Sequence, residues 1–198
     1  MLRLFFCLWV ALAAPWAAAK TVLVFGDSLS AAYGMKTEAG WVALLGQRLA
    51  PAHRVVNASV SGETSAGGLA RLPATLARVK PDVLVLELGG NDGLRGLPPA
   101  ELSRNLARMV ELARARGTRV LLVGMALPPN YGPDYTARFR AVYDDLAKKA
   151  RLAYVPVLVA GFETRMDWFQ ADGIHPTATA QPVMAATVEK ALRPLLKP

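Results

Sequence analysis

The sequence predicts an α/β protein in which helices cover both faces of an open parallel sheet. Five short apolar runs rich in β-branched residues alternate with longer segments whose apolar residues recur at helical spacing. Short runs that are apolar almost throughout are typical of strands buried on both faces. Strands that alternate with helices are joined by right-handed crossovers, which align the strands in parallel within one sheet.

The predicted elements follow one another without a repeat, a low-complexity tract or a linker, so we expect one domain. The predicted strands are 21–26, 54–59, 82–89, 119–125 and 153–160. The segments with the clearest helical spacing are WVALLGQRLA, PPAELSRNLARMVELARARG, DYTARFRAVYDDLAKKA and TATAQPVMAATVEKALRPLL. In the last of these, Pro182 predicts a kink or a late helix start, because proline disrupts a helix interior.

Residues 1–19 have the layout of a secretory signal peptide: a positively charged start, an apolar run over 4–14 and small residues at 17–19. A retained membrane anchor is the alternative, but the run is short for a bilayer span. We therefore expect cleavage, a mature domain of residues 20–198, and a periplasmic or secreted location. Cleavage removes Cys7, the only cysteine, and with it any disulfide, thiolate nucleophile or cysteine metal site.

The charge balance is basic, with a formal net charge of +8 that becomes +7 once Arg3 is removed. Such an excess raises the possibility of nucleic-acid binding. However, the arginines are scattered at the spacing of outward helix faces, and no basic run is interleaved with aromatic residues. We therefore expect solvated faces, no nucleic-acid partner, and at most weak contact with anionic lipid surfaces.

The two histidines lie at opposite ends of the predicted sheet. In open parallel sheets, ligands bind outside the carboxyl ends of the strands. His53 immediately precedes the second strand and is therefore at the wrong end for a site, whereas His175 lies between the last strand and the last helix. Any chemistry that needs an imidazole is therefore assigned to His175.

Further candidate residues follow the carboxyl ends of the first three strands: Ser28, Gly62 and Asn91. A serine nucleophile needs a base, for which we propose His175, and the base needs an acceptor that fixes its tautomer. Asp172, three residues before the histidine, is placed for that role. The backbone N–H groups of Ser28 and Gly62 and the side-chain amide of Asn91 are candidate donors to an oxyanion.

Other interpretations of these residues remain open when each is taken alone. Ser28 or Asp172 could cap a helix or stabilise a turn. A metal site built from Asp27, Asp172 and His175 is a poor alternative, because one histidine and no spaced carboxylate cluster leave too few ligands. We expect no metal. Asp27 and Asp92 are expected to hold their loops through hydrogen bonds to the backbone.

Four short stretches, FGDSLS, SGETS, GGND and DGIHP, occur in this order and resemble the motif blocks of the SGNH subgroup of GDSL-type serine hydrolases. The resemblance extends over nearly the whole mature chain. Through LARLPA, LELGGNDGLRG, LPPNYGPDY and DGIHPTATAQP it is closest to the bacterial periplasmic branch of multifunctional thioesterases, lysophospholipases and arylesterases. It implies a flavodoxin-like, three-layer α/β/α sandwich with strand order 2-1-3-4-5 and no cofactor.

The resemblance assigns Ser28 as nucleophile, His175 as base and Asp172 as the third member of a triad, with Gly62 and Asn91 as oxyanion donors. It also implies a mobile loop over the acyl chain at 94–99 and a substrate crevice at 125–132, although both could instead be loops that cap the core. The substrate contacts expected on this basis are Leu94, Arg95, Gly96, Leu97, Leu127, Pro128, Asn130 and Tyr131.

The implied activity is hydrolysis, through an acyl-enzyme, of small acyl substrates: aryl and short-to-medium-chain esters, acyl thioesters and lysophospholipids. We expect a monomer. A carbohydrate O-deacetylase on the same scaffold is one alternative. A binding module without catalysis is the alternative from another class, since a fold does not dictate function.

Overall fold

The computed structural model describes residues 19–197. The predicted signal peptide, except Ala19, and Cys7 lie outside these residues, as does residue 198. Five parallel strands form one sheet in the order β2-β1-β3-β4-β5, which confirms the predicted order. The strands are β1 (Lys20–Gly26), β2 (His53–Asn57), β3 (Val83–Glu87), β4 (Arg119–Val123) and β5 (Ala153–Val155).

Helices cover both faces of the sheet, as predicted, and they fall into two groups. The helices are α1 (Trp41–Leu49), α2 (Ser65–Val79), α3 (Gly90–Leu94), α4 (Pro99–Arg114), α5 (Pro133–Ala150) and α6 (Gln181–Leu196). One apolar cluster joins the sheet to α2, α4 and α5, and the other joins it to α1 and α6. No helix in 19–197 is long and apolar enough to cross a membrane.

Strand β1 explains why the predicted strands are apolar almost throughout. Successive side chains of a strand point to opposite faces. Leu23 and Phe25 belong to the first cluster, while Val22 and Val24 belong to the second, and all four are fully buried. Both faces of the central strands are therefore core, and the only polar positions left for a site are where the strands end.

Strand β5 is shorter than predicted. It ends at Val155, whereas the sequence pattern predicted a strand over 153–160. Pro156 follows and has no N–H to donate to the ladder, so pairing stops there. The apolar residues after it leave the sheet, and Leu158 donates its N–H to the carbonyl of Gly124 instead, at 3.2 Å. This departure matters for the site, because residues 157–159 become part of a cavity wall.

Helix α2 was not among the predicted helices. Gly67, Gly68 and Pro73 lie within it, and these residue types disfavour helix interiors. Burial of an apolar stripe that includes Leu72 offsets that cost. The Thr64 side chain also caps the first turn by accepting a hydrogen bond from the Gly67 N–H, at 3.2 Å.

Helix α6 bears out the alternative of a late start in its segment. It begins at Gln181, which places Pro182 in the first turn, where a missing N–H breaks no helical hydrogen bond.

Candidate active site

Ser28 lies in the tight turn that follows β1, and two side chains from a distant loop meet it there. The Ser28 Oγ is 2.8 Å from Nε2 of His175, and Nδ1 of the same ring is 2.7 Å from Oδ2 of Asp172. An ionised carboxylate can only accept, so Nδ1 donates to Asp172 and Nε2 is left to accept the serine hydroxyl. The structure thus joins three residues predicted from two different strand ends into one hydrogen-bonded chain.

Asp172 is held by the loop that also carries His175. Its Oδ1 accepts the backbone N–H groups of Ile174 and His175, at 2.9 and 3.0 Å. Burial raises the pKa of Asp172, but these two N–H donors and the His175 ring outweigh burial and lower the pKa to about 2. The group is therefore ionised at neutral pH, and it can stabilise an imidazolium.

The His175 ring also contacts a residue near the turn that carries Ser28. The ring of Tyr33, half exposed, lies 4.4 Å from the imidazole, centroid to centroid, at 37°. Gln170 connects the two loops, because its amide donates to the carbonyl of Tyr33 at 2.9 Å while its backbone N–H donates to the carbonyl of His175 at 2.7 Å. The imidazole therefore has few directions in which to turn away from Ser28.

The predicted oxyanion donors come together only in part. Asn91, the second residue of α3, lines the same cavity as Ser28. Its side-chain nitrogen donates to Oδ2 of Asp27, at 3.2 Å, and to the carbonyl of Glu63, at 3.0 Å. Gly62 lies beside it in the loop after β2, outside the residues that line the cavity. Its φ of 78° is in the left-handed region that favours glycine, and a Cβ there would meet nothing within 4 Å.

The cavity beside Ser28 has a volume of about 400 Å³ and a predominantly apolar wall. Three of the expected substrate contacts, Leu94, Leu127 and Pro128, belong to that wall. The others, Arg95, Gly96, Leu97, Asn130 and Tyr131, lie outside it. Two of these hold neighbouring loops instead: Arg95 donates to the carbonyl of Gly62 at 3.1 Å, and the Tyr131 hydroxyl donates to the carbonyl of Leu94 at 2.9 Å.

A further part of the wall consists of residues that the sequence pattern did not single out. They come from the segment after β5 and are Val157, Leu158, Val159, Glu163, Met166 and Phe169. The signal that could have identified them was Pro156, which ends a strand and leaves the apolar residues beyond it without a place in the sheet.

The two aspartates beside the motif residues hold loops, as expected. Oδ1 of Asp27 accepts the N–H of Leu29 at 3.1 Å, and burial raises the Asp27 pKa to about 6. Asp92 accepts the backbone N–H and the hydroxyl of Ser65, at 2.8 and 2.5 Å, and so ties α3 to α2. Among residues 19–197 there is no cluster of three or more His, Cys, Asp or Glu that could hold a metal ion.

Comparison with known proteins identifies the family. The model of the GDSL-like lipase/acylhydrolase family matches residues 24–181, which include Ser28, Asn91 and His175. The chain belongs to this family. The match confirms the resemblance seen in the four motif stretches.

Several curated proteins are similar to this chain over most of their length. The chain is 55% identical to "Esterase TesA" of Pseudomonas aeruginosa over 193 residues, 96% of either protein. It is 44% identical to "Thioesterase 1/protease 1/lysophospholipase L1" of Escherichia coli, with 91% of this chain and 86% of that protein covered. It is 40% identical to "Arylesterase" of Vibrio mimicus, with 96% and 95% covered.

Solved structures of similar proteins have the same fold. The crystal structure of TesA matches with a TM-score of 0.86 at 55% identity, covering 89% of this chain and 99% of that one. The psychrotrophic esterase EstA from Pseudoalteromonas sp., in a structure inhibited by monoethylphosphonate, matches with a TM-score of 0.85 at 35% identity, covering 89% and 98%.

Proposed function

We propose that the protein is a serine hydrolase that cleaves carboxylic esters and acyl thioesters through an acyl-enzyme. The observation that carries this proposal is the hydrogen-bonded chain from Ser28 through His175 to Asp172, with distances of 2.8 and 2.7 Å, beside an apolar cavity. The names of the relatives, esterase, thioesterase, lysophospholipase and arylesterase, support the same class of reaction.

The first half-reaction acylates the serine. The Ser28 hydroxyl attacks the carbonyl carbon of the substrate while Nε2 of His175 accepts its proton. Asp172, ionised and bonded to Nδ1, stabilises the imidazolium that forms. When the tetrahedral intermediate collapses, the imidazolium returns the proton to the departing alcohol or thiol. In the second half-reaction, water attacks the acyl carbon while Nε2 of His175 accepts its proton. The imidazolium then returns the proton to the Ser28 oxygen, which releases the carboxylic acid.

The negative charge on the carbonyl oxygen needs donors, which contribute a large share of the rate in such reactions. We assign this role to the N–H groups of Ser28 and Gly62 and to the amide of Asn91. In the part of the chain that the structure describes, those two N–H groups donate to no protein acceptor. The Asn91 amide uses both of its hydrogens within the protein, so it must share or release one to bind the oxyanion.

The cavity favours acyl groups of modest length. Each methylene that an acyl chain buries against the apolar wall stabilises the complex by roughly 0.8 kcal/mol. We infer that aryl and short-to-medium-chain esters, acyl thioesters and lysophospholipids are substrates.

We further propose that the protein is exported after removal of residues 1–19, that the mature chain 20–198 acts as a monomer, and that it contacts anionic lipid at most weakly.

The test of the proposed mechanism is Ser28→Ala, assayed with p-nitrophenyl esters. We expect the variant to lose at least ~10³ of the wild-type kcat/KM, as is typical for loss of a triad member, while circular dichroism and the melting temperature stay unchanged. A folded variant that retained most of the activity would refute the assignment of Ser28.

The substrate class is tested by comparing p-nitrophenyl acyl esters of increasing chain length, an acyl thioester, one lysophospholipid and acetylated xylan. We expect kcat/KM to rise from acetyl to longer chains, because a longer chain buries more apolar surface. A maximum at acetyl together with activity on acetylated xylan would favour the carbohydrate O-deacetylase instead.

A further inference from the structure

Glu87, the last residue of β3, lies behind the turn that carries Ser28 and is fully buried. Its Oε2 is 2.5 Å from the hydroxyl oxygen of Ser30 and 3.3 Å from the backbone nitrogen of Asp27, which donates to it. Asp27 precedes the nucleophile and Ser30 follows it by two positions. A single carboxyl oxygen therefore holds the chain on both sides of Ser28.

Gly26 provides the space for this carboxyl group. In the ladder between β1 and β3, Gly26 is the register partner of Glu87. A Cβ on Gly26 would overlap Oε2 of Glu87 and would lie 2.8 Å from the Oγ of Ser30. Such contacts are far inside van der Waals distance, so any larger residue at 26 would displace the carboxyl group from the turn. The glycine before Asp27 is thus explained by Glu87.

Two buried acids lie next to each other here, and their hydrogen bonds differ. Both oxygens of Asp27 accept N–H donors, from the Leu29 backbone and from the Asn91 side chain. Glu87 uses Oε2 alone, and its Oε1 is buried without a partner among the described residues. An unpartnered oxygen is very costly on a buried carboxylate and much less so on a neutral acid. Between the two groups, the proton therefore belongs to Glu87.

The electrostatics agree with this division. Burial and the neighbouring charge of Asp27 raise the pKa of Glu87 well above its ordinary value, although Ser30 and the Asp27 N–H oppose the shift. In the neutral form, Oε1 carries the proton and Oε2 still accepts the Ser30 hydroxyl and the Asp27 N–H, so that of these two acids only Asp27 is charged. Asp27 in turn orients the Asn91 amide.

We propose that Glu87 is a positioning residue: a neutral carboxyl group that fixes Asp27 and Ser30, and through them the Ser28 hydroxyl and the Asn91 amide. The proposal rests on the function proposed above. Glu87 acts through the turn and touches no substrate, so its loss lowers kcat and leaves KM unchanged. A purely structural role would lower the melting temperature and leave the kcat of each folded molecule at the wild-type value.

The test measures kcat and KM for p-nitrophenyl butyrate in Glu87→Gln and Glu87→Met, with active sites counted by an organophosphonate. Glutamine is neutral and can accept from both donors, so we expect its kcat within about threefold of wild type. Methionine fills the space and accepts neither, and we expect kcat to fall at least about tenfold, because a misplacement of about 1 Å in a catalytic group can cost ~10²-fold. KM should change in neither variant.

Each outcome decides one part of the proposal. A folded Glu87→Met with wild-type kcat would overturn the positioning role, and a Glu87→Gln as slow as Glu87→Met would overturn the neutral state.

If Glu87→Met does not fold, Ser30→Ala tests the positioning role in its place. It removes one of the two contacts of Glu87, and we expect kcat to fall between about threefold and tenfold. The matched control is Ser59→Ala, whose hydroxyl has no partner among the described residues. An inactive wild type would refute the proposed function instead.

Infrared difference spectra of wild type and Glu87→Gln test the protonation state without an activity assay. A neutral Glu87 gives the C=O stretching band of a protonated carboxylic acid at neutral pH, and the band disappears in Glu87→Gln. A wild-type spectrum without this band would overturn the neutral form.

Discussion

Carboxyl groups approach Ser28 from two regions of the molecule, and their surroundings are opposite. Asp172 lies in the surface loop between β5 and α6, with 38% of its side chain exposed, and its pKa is lowered to about 2. Glu87 ends a central strand, is fully buried, and its pKa is raised well above the ordinary value. Asp172 accepts two backbone N–H groups and is bonded to an imidazole through its second oxygen. Glu87 accepts one backbone N–H and one hydroxyl through a single oxygen, beside a second buried acid.

The surroundings of a carboxyl group, rather than its residue type, therefore decide what it can do. An ionised group next to His175 can stabilise a cation that forms during the reaction. A neutral group behind the turn adds no second negative charge near the developing oxyanion, and can still hold the backbone by hydrogen bonds. The same chemical substitution should therefore have very different effects in the two regions.

Asp172→Asn is the strongest way to test this comparison. An asparagine can donate as well as accept, so Nδ1 of His175 no longer has a fixed partner and the imidazolium loses its counter-charge. We expect kcat to fall by about 10²- to 10⁴-fold with the fold intact. The matched control is Glu87→Gln, the same change from acid to amide behind the turn, with a loss of about threefold at most. Similar losses in the two variants would contradict the division of roles.

Gly26→Ala tests the packing around the buried carboxyl group of Glu87. The added Cβ would overlap the Glu87 carboxyl group, and overpacking of this kind costs about 1–3 kcal/mol of unfolding free energy. The control is Gly46→Ala within α1. There the added Cβ would lie 3.7 Å from the Val55 side chain of β2, which is an ordinary van der Waals contact. For Gly46→Ala we expect the free energy of unfolding to increase by about 0.5–1 kcal/mol, as is typical when alanine replaces a glycine in a helix. Urea unfolding measures the free energy of unfolding of both variants. Equal changes in the two would contradict the conclusion that Gly26 makes room for the Glu87 carboxyl group.

The two buried acids also predict how the stability of the protein depends on pH. A buried acid whose pKa is higher in the folded state makes the native protein bind protons more tightly, so stability falls as pH rises above the unfolded value. The ordinary values are 4.5 for Glu87 and 3.8 for Asp27, and the Asp27 pKa rises to about 6 in the fold. The Asp27 contribution is thus lost between about pH 4 and pH 6, and the Glu87 contribution above about pH 4.5.

Glu87→Gln isolates one of these groups, since glutamine does not titrate. Asp92 and His175 also face Asp27, but they are present in both proteins and their effects cancel. We expect urea unfolding to find wild type losing stability relative to Glu87→Gln as pH rises from about 4.5 to 7, by at most about 1.4 kcal/mol per pH unit. A constant difference would mean that Glu87 does not change its protonation state on unfolding over this range.

Much of the fold follows from rules that apply to any parallel sheet. Apolar runs predicted the five strands, and the rule that ligands bind at their carboxyl ends separated His175 from His53. His53 indeed begins β2 at the opposite edge, where its Nδ1 accepts the N–H of Lys20 at 3.2 Å. The residues Ser28 and Asp172 were placed by the same rule, together with the chemistry that a serine nucleophile requires.

The rest depended on contacts between distant parts of the chain. The segment after Val155 lines the cavity because Pro156 ends the strand and the N–H of Leu158 then donates to the carbonyl of Gly124. A contact between two such distant residues cannot be predicted from the local sequence pattern. Glu87 was passed over because it ends an otherwise apolar strand. A charged residue in a strand buried on both faces is itself a signal, since such a group needs partners or a proton. Its partners, Asp27 and Ser30, lie 60 and 57 residues away.

The central claim is that His175 activates the hydroxyl of Ser28, and covalent labelling tests it most directly. Wild type is treated with an organophosphonate, digested, and analysed by mass spectrometry, with Ser30→Ala treated in parallel to exclude the neighbouring hydroxyl. We predict one phosphonyl group for each molecule, on Ser28, and almost none in His175→Ala. Labelling on another serine, or equally fast labelling of Ser28 without the imidazole, would contradict the account.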